Sequence, residues 1–279
     1  MIDLRGANLL LALESRMENP YVARIMSSKI CVIIPARLSS SRFYGKVLWN
    51  FRKIPMIEHV YRRASLAISR DHIYITSGDK DILDYMGSIG ANVIKSKKVH
   101  NNGTSRAAEA SINLPYKYVI ILQADEILVE PAHLNKLINS ITKDGVENFY
   151  NLITSLKAKN DLYDVNIVKC FTDKNNFLNN FFRTPENTQV GVTKVSKVIG
   201  ILAFRKISLL NLSSMEDTSL QTKNSIEQFK IIEHGFNLKG ILVDSDYPSI
   251  NTESDIALVE KFIKKSLVQK KILSQYVNQ

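Results

Sequence analysis

Two continuous apolar runs constrain the fold of this chain more than any other feature of its sequence. Residues 29–35 (KICVIIP) and 118–122 (YVIIL) are mostly apolar without alternation, which is typical of strands buried on both faces of a parallel sheet. Between them, apolar residues recur at helical spacing, for example at Ile57, Val60 and Tyr61. Strands that alternate with helices in this way predict an α/β fold with a doubly wound, mainly parallel sheet.

The middle of the chain follows a different pattern. Residues 167–171, 177–182 and 198–204 are strand-like, but no long helices separate them. We therefore expect an antiparallel insertion at about residues 150–210, and insertions of this kind often form a lid or a dimer surface. Because the sequence contains no linker and no internal repeat, residues 29–279 are interpreted as a single domain with this insertion.

Residues 1–28 lie outside this pattern. Their leucines make only a short apolar run, and no small-residue cleavage site follows it, so we expect no secretory signal. Two interpretations stay open for this segment. It is either an N-terminal extension with a short helix or the result of a misassigned start, because Met26 stands just before the first strong strand.

Charge and cysteine content narrow the functional classes. The net charge of +10 suggests a protein that binds nucleic acid. No aromatic-basic platform appears in the sequence, however, so we expect no nucleic-acid partner. The chain lacks the long apolar run that membrane insertion requires. Its two cysteines, Cys31 and Cys170, lie in strand-like runs and are expected to be buried, reduced thiols, which fits a cytoplasmic protein.

The loop after the first strand is rich in cations and hydroxyl groups. Ligands of open α/β sheets bind beyond the carboxyl ends of the strands, and fixed cations and hydroxyls there can hold a triphosphate. The glycine spacing fits neither a Walker A loop nor a dinucleotide fingerprint. On these residues alone, a solvated polar turn stays an alternative. The side chains concerned are Arg37, Ser39, Ser40, Ser41, Arg42 and Lys46.

A second group of polar residues, at 123–126 (QADE), directly follows the run at 118–122. A carboxylate at the end of a buried strand commonly holds a divalent metal over a phosphate. Oxygen ligands suit Mg²⁺, so Asp125 is a candidate metal ligand. The alternative is that this acid only caps a helix.

The order of these motifs resembles that of the sugar-acid cytidylyltransferases, and in particular the 3-deoxy-manno-octulosonate (Kdo) cytidylyltransferases. Residues 35–48 meet every fixed position of that family's signature, PAR-x-x-S-[ST]-R-x-x-GK-x-L. The resemblance extends from residue 29 to about residue 262. Further segments are similar to family motifs, in the same order along the chain, at 102–109, 123–126, 182–185, 226–235 and 250–255.

The resemblance implies an enzyme that transfers CMP from CTP to the anomeric hydroxyl of a sugar acid and releases pyrophosphate. It also implies a homodimer, a Mg²⁺ cofactor bound by Asp125 and Asn251, and catalytic roles for Lys46, Asp125 and Arg42. The implied nucleotide-binding residues are Arg37, Ser39, Ser40, Ser41, Arg42, Lys46, Gly103 and Thr104. The implied sugar-binding residues are Gln123, Arg183, Glu227 and Gln228.

Several positions depart from the family pattern. Asn251 replaces the aspartate that is the family's second metal ligand, so one negative charge is lost. Ser77 replaces an acid, Val198 replaces a histidine, and Leu202 lies near a family tyrosine. Three alternatives follow. The chain is an enzyme for Kdo with unusual substitutions, an enzyme for another sugar acid such as 8-amino-Kdo or a nonulosonate, or a catalytically weak nucleotide-binding paralogue.

Overall fold

The computed structural model of the protein describes residues 29–40, 42–145, 147–156, 159–185, 195–244 and 247–277. The strands in these ranges are β1 (Ile30–Pro35), β2 (Asn50–Phe51), β3 (Ile54–Pro55), β4 (Ile73–Ser77), β5 (Asn92–Lys95), β6 (Tyr118–Leu122), β7 (Phe149–Ser155), β8 (Lys169–Thr172), β9 (Leu178–Phe182), β10 (Val195–Arg205) and β11 (Lys239–Val243). The helices are α1 (Met56–Ala64), α2 (Lys80–Ser88), α3 (Gly103–Ser111), α4 (Pro131–Asp144), α5 (Lys206–Ser214), α6 (Ser219–Asn224), α7 (Gln228–Glu233), α8 (Asp255–Lys265) and α9 (Leu267–Ser274).

The main sheet has the strand order β11-β7-β10-β6-β1-β4-β5 across the described ranges. The two apolar runs found in the sequence form the neighbouring parallel strands β1 and β6, and β4 and β5 continue the parallel pairing. β10 is antiparallel to both of its neighbours, β6 and β7. The predicted α/β fold with a doubly wound, mainly parallel sheet is therefore confirmed.

The antiparallel part of the sheet is formed by β7, β8, β9 and β10, which lie between residues 149 and 205. β7 and β10 belong to the main strand order, and β8 and β9 lie beside it. β10 is 11 residues long. Its first residues, 195–197, pair with β8, and residues 201–205 pair with β6. The register of β10 against β7 shifts between Val198 and Leu202. One strand therefore pairs with β8 at its start and with β6 at its end.

The two faces of the main sheet are buried in separate apolar cores. Ile30, Val32 and Ile34 of β1 enter the core that is shared with α1, α2, α4, α8 and α9. Cys31 and Ile33, which alternate with them, enter the core shared with α3, α5 and α7. This alternation is expected of a strand covered by helices on both faces. Among the described helices, none is both long and apolar enough to cross a membrane.

Two helix boundaries are fixed by capping side chains. The N-cap of α3 is Asn102, whose side-chain oxygen accepts a hydrogen bond from the amide of Ser105 at 2.8 Å. Thr104 therefore lies in the first turn of the helix. α8 and α9 are separate helices, because Ser266 adopts an extended conformation and its side chain caps α9.

Candidate active site

A cleft lies beyond the carboxyl ends of β1 and β6, where ligands of open α/β sheets bind. It consists of a cavity of about 650 Å³ and a neighbouring cavity of about 290 Å³. Both cavities are lined by Arg42, Gln123, Asp125, Arg183 and Glu227. The structure thus brings together the residues that follow β1 and β6 with residues from the second half of the chain.

The loop after β1 is held in a closed conformation by backbone hydrogen bonds and one carboxylate. The amide of Gly45 donates to the carbonyl of Leu38 at 2.9 Å, and Gly45 adopts a φ of 69°, which favours glycine. The amide of Leu38 donates to Asp79 Oδ2 at 2.8 Å. Asp79 follows Ser77, the position where the family has an acid, so a carboxylate two residues later supports the loop.

Lys46 ends this loop and is the most buried of its cations. A short 3₁₀ helix, Lys46–Leu48, begins there and turns the side chain inward. The ammonium group donates to Asp125 Oδ2 at 2.9 Å and to the carbonyl of Ile250 at 3.1 Å. Lys46 therefore links the loop after β1, the end of β6 and the segment before α8.

Arg42 is exposed, and two asparagine side chains hold its guanidinium group. It donates to Asn166 Oδ1 at 2.6 Å and to Asn251 Oδ1 at 3.3 Å. The segment around Asn251 is itself fixed, because its amide and that of Thr252 both donate to Asp255 Oδ2 at 2.8 Å. Asp255 thus orients the backbone that carries the second predicted metal ligand.

The remaining predicted phosphate-loop residues are more loosely placed. Arg37 and Ser40 line the larger cavity, whereas Ser39 is exposed on the loop, and Ser41 lies outside the described residues.

Arg106 was not predicted as a site residue, although it lies in the matched segment 102–109. It lines the larger cavity and donates to the carbonyl of Ala36 at 3.0 Å. Burial lowers the pKa of Arg106, and the nearby Arg37 adds to this effect.

Glu227 connects the two predicted binding regions. Its carboxylate accepts hydrogen bonds from the amides of Gly103 at 3.3 Å and Thr104 at 3.2 Å, and from the Thr104 hydroxyl. These amides belong to the first turn of α3, where the helix dipole favours a negative charge. Glu227 is therefore bound to the predicted nucleotide-binding residues while it also lines the smaller cavity.

The other predicted sugar-binding residues surround the smaller cavity. Arg183 lies between the two cavities, and its guanidinium group donates to the carbonyls of Val165, Asn224 and Ser225 at 2.9–3.3 Å. Gln228 donates to Asn151 Oδ1 at 2.9 Å. Arg183 thus has several hydrogen bonds to carbonyls in addition to its place on the cavity wall.

Glu126 shapes the floor of the site although it was not predicted as a site residue. Its Oε1 accepts a hydrogen bond from the amide of Gly200 at 2.8 Å, and the carbonyl of Gly200 accepts one from the amide of Gln123 at 3.0 Å. Burial, together with the neighbouring charge of Asp125, raises the pKa of Glu126 to about 7. These contacts fix β10 against the end of β6 at its bulge.

Part of the lining of the smaller cavity is apolar. Val198 and Leu202, two of the positions that depart from the family pattern, both line it, and so do Ile167, Val168 and Leu258. These side chains offer no hydrogen-bonding groups to a ligand. The lining also includes the charged and amide side chains of Arg42, Gln123, Asp125, Arg183 and Glu227.

Asp125 and Asn251 are the candidate metal ligands, and both line the smaller cavity. Lys46 contacts Asp125 and the carbonyl of Ile250, the residue before Asn251, so this ammonium group links the two segments that carry the candidates. No cluster of three or more His, Cys, Asp or Glu residues suited to a metal occurs in the described ranges. A divalent ion at this site therefore requires additional oxygen ligands from a substrate or from water.

Comparisons with known proteins agree on one family. The chain matches the family model described as "Cytidylyltransferase" over residues 31–242. It is 34% identical over 247 residues to the mitochondrial 3-deoxy-manno-octulosonate cytidylyltransferase of Arabidopsis thaliana, covering 85% of this chain and 84% of that protein. It is 30% identical over 252 residues to the 3-deoxy-manno-octulosonate cytidylyltransferase of Geotalea uraniireducens, covering 85% of this chain and 100% of that protein.

Solved structures give the same result. A CMP:2-keto-3-deoxy-manno-octonic acid synthetase complexed with CTP is similar with a TM-score of 0.77 and 25% identity, covering 86% of this chain and 100% of that one. A cytidylyltransferase from Leptospira borgpetersenii, with a TM-score of 0.58 and 15% identity over 88% of this chain and 94% of that one, shares the fold alone. The resemblance inferred from the motifs is confirmed, and the chain belongs to the 3-deoxy-manno-octulosonate cytidylyltransferase family of nucleotidyltransferases.

Proposed function

We propose that this protein transfers CMP from CTP to the anomeric hydroxyl of Kdo or a closely related sugar acid, with release of pyrophosphate. The observation that carries this proposal is that two cavities of different character meet at Asp125. The larger one is lined by Arg37, Arg42, Lys46 and Arg106 and suits a triphosphate. The smaller one suits an acidic sugar, and the family relatives named for Kdo support this assignment.

In this proposal the α-phosphate of CTP lies at the junction of the two cavities. The anomeric hydroxyl loses its proton to solvent and its oxygen forms a bond to the α-phosphorus, while the bond between that phosphorus and the bridging oxygen of pyrophosphate breaks in line with it. Lys46 and Arg42 neutralise the charge that develops on pyrophosphate, because fixed cations stabilise such charge without reorganisation. Gln123, Arg183, Glu227 and Gln228 orient the sugar acid toward the phosphorus.

The residues present fit a Mg²⁺ ion. Mg²⁺ in proteins is commonly bound by one or two carboxylates together with substrate phosphates, and Asp125 supplies one carboxylate. Asn251 supplies a neutral amide oxygen that already accepts a hydrogen bond from Arg42. We propose that Asp125 and Asn251 hold the ion together with the triphosphate. When bound, it would neutralise phosphate charge and lower the pKa of the attacking hydroxyl.

Activation of a different sugar acid is the second candidate function. The apolar part of the lining of the smaller cavity favours it. Val198 replaces a family histidine there, and Leu202 lies near a family tyrosine. A sugar hydroxyl that contacts these side chains would lose hydrogen bonds to water without replacement, at a cost of about 1–3 kcal/mol. Sugar acids with a deoxy or acylated position at this contact would avoid that cost.

The test is pyrophosphate release with CTP and a panel of acids: Kdo, 8-amino-Kdo and a nine-carbon nonulosonate. UTP and ATP replace CTP in parallel to measure base selectivity, and CTP alone gives the background. The proposal predicts release with CTP and Kdo and little release with the other nucleotides. Turnover with a nonulosonate but not with Kdo would establish the second candidate function instead.

A cytoplasmic location and a homodimer remain part of this proposal as predictions. Sedimentation equilibrium of the purified protein measures the oligomeric state directly. A mass near twice 31.6 kDa would support the homodimer, and a mass near that of one chain would contradict it.

A further inference from the structure

Lys169 on β8 is a lysine whose side chain is fully buried. Its ammonium group donates to the carbonyls of Asp164 at 2.7 Å and Ile167 at 2.9 Å, and to the carbonyl of Arg183. An ammonium group has three donors, so these three carbonyls can satisfy all of them. Lys169 therefore fastens the segment 164–167 to the residue that follows β9.

The positive charge of the Lys169 ammonium group strengthens its hydrogen bonds to these three carbonyls. Burial lowers its pKa to about 8, while the nearby carboxylate of Asp164 opposes that effect. A buried ammonium group is tolerated only when hydrogen bonds replace its lost hydration. Removing it would leave the carbonyls of Ile167 and Arg183 without this donor, and the carbonyl of Asp164 would keep only the amide of Ile167, at 3.1 Å. We expect this loss to loosen the segment 164–167.

The segment that Lys169 holds contacts the cleft through Asn166 and Val165. Asn166 Oδ1 accepts the 2.6 Å hydrogen bond from Arg42, and the carbonyl of Val165 accepts one from Arg183 at 2.9 Å. Without Asn166, the described contacts of the Arg42 guanidinium would be reduced to the longer one with Asn251, at 3.3 Å. Arginine side chains lose considerable rotamer freedom when fixed, so this support affects how well Arg42 is preorganised.

We propose that Lys169 is a positioning residue that fixes Arg42 in the nucleotide cleft by holding Asn166 in place. This inference rests on the proposed function, in which Arg42 binds the triphosphate of CTP. Lys169 acts through other residues, because its buried side chain is separated from the cleft by the segment that it holds.

The test is a double-mutant cycle on CTP affinity, measured by calorimetry. Lys169→Met and Asn166→Ala should each weaken CTP binding by about fivefold or more, which corresponds to roughly 1 kcal/mol. Both losses should fall below twofold when Arg42 is already replaced by Ala. If the variants only destabilised the protein in general, the loss of CTP affinity would be the same with Arg42 present and with Arg42 replaced by Ala.

Lys206→Met is the matched control, because Lys206 also donates to a backbone carbonyl, that of Leu114, at 2.6 Å, but lies on α5. It should leave CTP affinity within twofold of wild type. Wild-type affinity in Lys169→Met or in Asn166→Ala, or losses that persist without Arg42, would overturn the inference. Asn166 is exposed, so its variant decides the question if Lys169→Met does not fold. Failure of the wild type to bind CTP would instead contradict the proposed function.

Discussion

The ammonium group of Lys46 lies 2.9 Å from the carboxylate of Asp125, so the central cation of the phosphate loop is paired with the proposed metal ligand. The pair joins the loop after β1 to the end of β6, at the junction of the two cavities. Each partner thus limits the charge that the other presents to a ligand. Replacing either one therefore changes the charge that the site presents both to a nucleotide and to a metal.

Asp125→Asn should abolish nearly all turnover while the protein still folds and binds CTP. The amide oxygen can still accept the hydrogen bond from Lys46, but the metal loses its one described carboxylate. Pyrophosphate release gives the rate, and calorimetry gives the CTP affinity. A variant that kept more than about a tenth of the wild-type rate, a barrier change of only about 1.4 kcal/mol, would show that Asp125 is not the key ligand.

Arg42→Ala and Lys46→Ala should each weaken CTP binding by about tenfold to hundredfold. A charge-assisted hydrogen bond to phosphate contributes roughly 1.5–3 kcal/mol. The matched control is Arg52→Ala, which removes an arginine that pairs with Glu260 through a 2.8 Å hydrogen bond outside the cleft. Calorimetry that gave wild-type affinity for both cleft variants would contradict the phosphate-loop assignment.

Asn251→Asp should lower the Mg²⁺ concentration needed for half-maximal activity, because hard divalent ions favour charged oxygen ligands. Asn166→Asp is the control, since Asn166 and Asn251 both accept hydrogen bonds from Arg42 but only Asn251 is a proposed metal ligand. The measurement is a Mg²⁺ titration of pyrophosphate release. An unchanged requirement in Asn251→Asp, or an equal decrease in both variants, would place the metal elsewhere.

Gly200→Ala should reduce both stability and turnover. A Cβ at this position would lie 2.6 Å from Glu126 Oε1 and 3.0 Å from Gln123 Cγ, so both side chains would have to move. Gly87→Ala is the control, because a Cβ there meets only the Val93 side chain at 3.9 Å. Thermal unfolding and steady-state kinetics of both variants check this, and equal behaviour of the two would refute the role of the Glu126–Gly200 contact.

His59 should make the protein less stable in mild acid. Burial lowers its pKa to about 4 from the ordinary value of 6.5, so the unfolded chain binds a proton that the folded chain excludes. Stability is therefore full above pH 6.5 and falls as the pH decreases toward 4, by about 1.4 kcal/mol for each pH unit. Denaturant unfolding at several pH values should show a shallower decrease in His59→Gln. An identical pH dependence would contradict the low pKa.

The sequence predicted the parallel strands and the phosphate loop because both are local patterns. An apolar run of five or six residues identifies a buried strand, and the loop motif lies within a few residues of the end of β1. Strand β7 was not predicted, because Asn151 interrupts its apolar pattern. The structure buries this side chain, and its amide group donates to the carbonyls of Leu152, Ile199 and Ile201, which no local pattern reveals.

The parts of the site that depend on contacts between distant segments were also not predicted. Arg42 donates hydrogen bonds to Asn166 and Asn251, which lie 124 and 209 positions further along the chain. The position of β10 in the middle of the main sheet depends on its bulge at Gly200, which Glu126 binds. Such pairings follow from tertiary packing, so spacing in the sequence gives the residue types of the site but not their partners.

The most direct test of the central claim is the fate of the anomeric oxygen of Kdo. The substrate is labelled with ¹⁸O at the anomeric hydroxyl and incubated briefly with CTP, Mg²⁺ and the wild-type protein, and the product is analysed by mass spectrometry. The account predicts a CMP-sugar that retains the label in the oxygen between sugar and phosphorus, with unlabelled pyrophosphate. A product without the label, or no CMP-sugar although CTP binds, would contradict it.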